Sequence, residues 1–129
     1  MSLVTGTDFV YIATRDFDRA VEFYGTTLGL HCSGRYGKHP GAEFETGNLT
    51  LSVIMPDKMG MEFHPNRNAI ALHVEDMEAA RATLAERGVK FMGDTFDTSV
   101  CHMAFFADPD GNALMLHHRY APYRDGSLP

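Results

Sequence analysis

The sequence predicts an α+β fold: two βαβββ modules in tandem, forming a concave sheet with the helices on the outside. Three observations carry that expectation. The first is an internal repeat. The stretch DFVYIATRDFDRAVEFYGTTLGL, from Asp8, lines up with NAIALHVEDMEAARATLAERGV, from Asn68, and an offset of sixty brings like residues together. Val10 falls on Ile70, Ile12 on Leu72, Asp16 on Asp76, Phe17 on Met77, Ala20 on Ala80 and Tyr24 on Leu84. Self-similarity at a fixed period marks a repeated supersecondary unit. The second observation is that each copy passes from period-two alternation to a helical stripe at its Asp. The third is that three strand-like runs follow each helix, separated by turn residues.

The elements follow in order. Val10 and Ile12 alternate with the other face of a first strand, as Ile70 and Leu72 do in the second copy. Asp16 and Asp76 are suited to cap helices, because a carboxylate accepts from the free amides of the first turn. Helices are expected at about 17–28 and 77–87. Phe17, Ala20, Val21, Tyr24 and Leu28 form one stripe, and so do Met77, Ala80 and Leu84, while Arg81, Glu86 and Arg87 stay on the wet side. Gly88 is a left-handed stop. The first module then continues through HCSGRY, AEFE and LTLSVIM, and the second through KFMGDTF, CHMAFF and ALMLHHR. Turns fall at Glu45–Asn48 and at DPDG, Asp108–Gly111, where Pro and Gly hold favoured places. The whole chain, 1–129, reads as one domain: a module over about 6–56, a linker over about 57–67, a second module over about 68–119 and a tail over 120–129. A first strand that returns to its sheet through a helix lies parallel to its partner, here the last strand of the module.

Composition narrows the function. With 129 residues, 44% of them hydrophobic and 22% charged, the chain is of ordinary globular make-up, so disorder and coiled coil are excluded. No apolar run reaches membrane-spanning length. The start, MSLVTGTDF, has no basic and apolar leader, and Cys32 and Cys101 sit in no paired spacing. A cytoplasmic protein with reduced thiols is the expectation. A net charge of −6 with only 11 scattered Lys and Arg argues against nucleic acid.

The paired modules, the phrase RDFDRAVEFYGTTLGL (Arg15–Leu30) and the phrase FFADPDGNALML (Phe105–Leu116) resemble the vicinal oxygen chelate superfamily, which includes glyoxalases, extradiol dioxygenases and bleomycin-resistance proteins. The resemblance covers roughly residues 6–119 and implies a cavity, and in the enzymes a divalent metal held by His or Gln on first strands and Glu on last strands. Here those positions fall on Phe9, Ala69, Met115 and Thr50 or a neighbour, which are poor ligands for hard or borderline ions. No metal and no other cofactor is therefore expected at the inherited place. The resemblance implies instead a metal-independent binder of an apolar or aromatic small molecule, working as a homodimer.

Parity from those positions, with Ala107 opposite Asn112 in the DPDG hairpin, turns Phe9, Tyr11, Ala69, His73, His102, Phe106, Met115 and His117 toward a ligand. On this register His102 lies across from His117, with His73 beside it, and Cys101 faces the helices. Three converging imidazoles open an alternative: a lyase or isomerase of the glyoxalase type acting on a carbonyl compound. In it His73, His102 and His117 serve as catalytic groups or hold a divalent metal such as zinc. Glu43 shares the inward parity. His31, His39, His64 and His118 are expected to meet solvent.

Overall fold

Each helix begins where an aspartate captures its first turn. In the computed structural model, which describes residues 2–129, Asp16 accepts from the Arg19 amide at 3.2 Å and Asp76 from the Ala79 amide at 3.0 Å. The chain divides into two compact units, one ending at Pro65 and the other running from Asn66 to Pro129.

The first unit contains β1 (Phe9–Ala13), α1 (Phe17–Glu22), β2 (His31–Arg35), β3 (Gly41–Glu45) and β4 (Thr50–Ile54). Its sheet has the order β1-β4-β3-β2, with β1 parallel to β4 and the other pairs antiparallel. Alternation puts Ile12, Leu51, Val53 and Phe44 under the helix, where they are buried with Ala20 and Tyr24. The regular helix ends six residues early. Phe23–Thr27 form a π-helical turn, closed by the Leu28 amide on the Phe23 carbonyl at 2.9 Å. Gly25, Thr26 and Thr27 are weak helix formers, and the wider turn leaves both Phe23 and Tyr24 buried, with Tyr24 6.0 Å from the Phe44 ring. A 3-10 turn, Pro56–Met59, follows β4.

The second unit contains β5 (Ile70–His73), α2 (Met77–Glu86), β6 (Phe96–Asp97), β7 (Cys101–Ala107) and β8 (Ala113–Arg119), in the sheet order β5-β8-β7-β6. β5 is parallel to β8, as the crossover rule requires. Met77, Leu84, Ala104, Phe106, Leu114 and Leu116 form its core. The strand expected over KFMGDTF shrinks to β6. The preceding loop is held by the Arg81 guanidinium, which donates to the Gly93 carbonyl at 3.0 Å and to Thr95 Oγ1 at 3.3 Å and stacks over Phe91 at 4.5 Å.

The β7–β8 hairpin departs from the expected register by one residue. Ala107 pairs with Ala113, Phe106 with Leu114, Met103 with His117 and His102 with His118. The Asp108 amide bonds the Asn112 carbonyl at 3.0 Å, so the loop proper is Pro109–Gly111, with Gly111 at φ 91. A turn followed by a left-handed residue is the three-residue hairpin loop, one longer than a tight turn closed at Gly111. The buried Asn112 fixes this choice. Its side chain donates to Asp108 Oδ2 at 2.8 Å and accepts from the Asn66 amide at 2.8 Å.

Candidate functional site

On the first unit, the sheet face away from α1 is unusually aromatic. Phe9 and Tyr11 point to it two residues apart, 48% and 51% exposed, with ring centroids 5.0 Å apart in an edge contact. Their register partners on β4 are Thr50 and Ser52. Glu43, opposite Ser52, shares the face as its parity requires. Tyr36 lies across Gly41, and its hydroxyl bonds Ser52 Oγ. Glu45 accepts from Ser33 at 2.5 Å and Thr50 at 2.6 Å, and these hydroxyls hold its carboxyl below the usual range. The surface is thus three rings bordered by a satisfied polar strip.

The inherited ligand positions do not fit a metal. Phe9 presents an arene and Ala69, just before β5, a methyl. The Thr50 hydroxyl is committed to Glu45, and Met115 offers only a thioether. These groups lack the carboxylate and imidazole donors that such ions need.

On the second unit the expected residues separate. Ala71, His73, Met115 and His117 share the sheet face away from α2, with His73 in register with His117. His102 and Phe106 lie on the opposite face, because the longer hairpin loop shifts the register and a one-residue slip reverses every side chain. Phe106 is fully buried, 5.4 Å from the Phe91 ring. Cys101 is likewise reversed: it shares the face of Met103 and His117, buried at the sheet end and bonded to Thr98. His102 meets Asp97 instead of His117, at 3.3 Å, and its ring centroid lies 4.8 Å from that of Tyr120. The Tyr120 hydroxyl donates to Asp97 at 2.8 Å, which pushes the phenol up, while the Ser99 amide and that hydroxyl hold the Asp97 carboxyl down.

The residues that do gather with His73 are Glu75 and His118. His73 Nε2 lies 2.9 Å from Glu75 Oε1, and the His73 and His118 ring centroids are 6.0 Å apart. One ligand atom from each of His73, Glu75 and His118 lies within 4.8 Å of the others. His118 is half-buried rather than solvated, with Nδ1 2.9 Å from the Val74 carbonyl. His117 stands outside this group. Partial burial lowers its pKa, and its electrostatic interactions with His73, His118 and Arg119 act in the same direction. Glu75 and His118 also line a groove of about 500 Å³ beside the first turn of α2, with Asp76, Thr95, Asp97 and His102. The spacing His73-x-Glu75 was the signal available for two of the three groups, at the point where β5 ends and the chain bends before the Asp76 cap.

Comparison with known proteins agrees with this architecture. A model of the glyoxalase/bleomycin resistance protein/dioxygenase superfamily matches residues 6–116. YraH of Bacillus subtilis, described as uncharacterized, is 24% identical over 120 residues, covering 84% of this chain and 94% of its own. A crystal structure of a superfamily member from Sphaerobacter thermophilus is 23% identical, covers 90% of this chain and 98% of that one, and superposes with a TM-score of 0.78. TnmS3, an antibiotic binding protein from a Streptomyces species, is 23% identical with a TM-score of 0.77, covering 92% and 99% of the two chains. Repeat, topology and matched length lead to one assignment: the chain belongs to the glyoxalase/bleomycin resistance protein/dioxygenase superfamily.

Proposed function

We propose that this protein is a cytoplasmic, homodimeric binder of an apolar or aromatic small molecule, and that no metal takes part in the binding. The observation that carries the reading is the exposed Phe9–Tyr11 ring pair on the open sheet face, continued by Tyr36. Aromatic side chains left half in water on a rigid strand offer a stacking platform at little entropic cost. The description of TnmS3 as an antibiotic binding protein supports a sequestering role. The poor donors at Phe9, Ala69, Thr50 and Met115 support binding by stacking and packing rather than by chelation. The acidic net charge disfavours polyanions as partners. No helix among the described residues is long and apolar enough to cross a membrane.

The test is a screen of fused-ring aromatic compounds by ligand-observed NMR, in the presence of EDTA, on the native chain and on Phe9→Ala/Tyr11→Ala. Hits should bind the native protein with EDTA present and lose about tenfold or more in affinity in the double variant, a loss of ~1.4 kcal/mol. Hits insensitive to both substitutions, or hits that vanish with EDTA, would remove this reading. Light scattering at micromolar concentration should give twice the chain mass of 14.3 kDa; a monomer would remove the dimer.

A further inference from the structure

We propose that His73, Glu75 and His118 form a binding site for a first-row divalent transition metal, zinc by the character of its donors, at the end of β5 and β8. The site uses none of the inherited ligand positions and is independent of the aromatic binding proposed above. Two imidazoles and one carboxylate are a donor set suited to zinc, with an open position left for water or a ligand oxygen.

Three features of the geometry support it. The ligand atoms already lie within 4.8 Å of one another, and His73 Nε2 and Glu75 Oε1 only 2.9 Å apart. Tetrahedral zinc with bonds of ~2.0–2.2 Å needs ligand atoms ~3.3–3.5 Å apart, so small side-chain rotations close the site. His118 is oriented for the task. Its Nδ1–H donates to the Val74 carbonyl, which leaves the lone pair on Nε2; metal-binding histidines are commonly fixed by such an outer hydrogen bond. Finally, His73 and Glu75 have side chains 59% and 89% exposed, so an ion can reach them, and both can rotate toward the half-buried His118. Binding would replace the direct contact between His73 Nε2 and Glu75 Oε1 with a bond from each to the ion. Two of the three ligands, Glu75 and His118, also line the groove that Thr95 and His102 continue. The exposed His64–Glu62 pair, 3.1 Å apart, shows the same two-residue spacing without a third donor among the described residues, and so serves as an internal control.

The experiment uses the full chain without an affinity tag, stripped with EDTA, dialysed and titrated calorimetrically with ZnCl2, with CoCl2 as a spectroscopic probe. One zinc per chain is expected, and cobalt should give the intense visible bands of a four- or five-coordinate site. His73→Ala, Glu75→Gln and His118→Ala should each weaken zinc at least tenfold, and His64→Ala should leave it unchanged. Should His118→Ala fail to fold, the exposed Glu75→Gln decides alone. A stoichiometry well below one, or Glu75→Gln binding zinc as the native chain does, would overturn the proposal.

Discussion

At Gly41 a single missing carbon shapes the open face of the first unit. A Cβ there would sit 2.0 Å from Tyr36 Cδ2, so the ring would have to leave Ser52, a residue only 1% exposed. Gly41→Ala should therefore destabilise the protein by about 1–3 kcal/mol, the usual cost of overpacking, whereas Gly37→Ala, which meets nothing within 4 Å, should be far milder. Chemical denaturation of the two variants checks this. Asp97 gives a pH prediction. Its folded pKa is depressed, first by the Ser99 amide and then by the Tyr120 hydroxyl, so its contribution is present above the unfolded value and lost as pH falls through the folded one. The melting temperature of Asp97→Asn should lie below that of the native chain near neutrality, and the gap should close below about pH 4. A gap that stays constant down to pH 2 would remove Asp97 from the acid limb. Single residues were legible in the sequence where parity alone placed them, as with Phe9, Tyr11, Glu43 and His73. His118 was not, because its position depends on where β5 stops: past His73 the chain turns away, and the ring reaches Val74 across the vacated edge.

Among the elements, the helix caps and the parallel pairs followed directly from the sequence, since Asp16, Asp76 and the crossover rule depend on local chemistry. The β7–β8 register did not. DPDG reads alike whether Gly111 closes a tight turn or extends it as a left-handed residue. The choice is made by Asn112 gripping Asp108 and the distant Asn66. Asn112→Ala strips buried partners from both and should cost about 1–3 kcal/mol, measured by the denaturation midpoint. Gly111→Ala puts a Cβ at φ 91 and should cost about 1–2 kcal/mol. The loss of KFMGDTF as a full strand has a similar origin: Arg81, read as a solvated side chain, ties the loop to α2 through Gly93 and Thr95.

For the whole molecule, the repeat sufficed to give the architecture, because both copies keep their apolar alternation and their caps. Metal binding should register at this scale as well. A ligand that binds only the folded chain stabilises it by mass action, by about 2.7 kcal/mol at a hundredfold excess over Kd. Zinc should therefore raise the melting temperature of the native protein and not that of Glu75→Gln, which differential scanning calorimetry would show. The parallel pairing of β1 with β4 and of β5 with β8 has a further consequence, in time rather than in energy. Roughly forty residues separate Phe9 from its partner Thr50, and about as many separate Ile70 from Leu114. At ~5–20 residues per second of synthesis, the first strand of each unit waits on the order of seconds for its neighbour to be made. During that wait the Phe9 and Tyr11 rings hang from an unpaired strand, so the aromatic pair that stays half exposed in the folded unit is bare apolar surface while the chain is still being made.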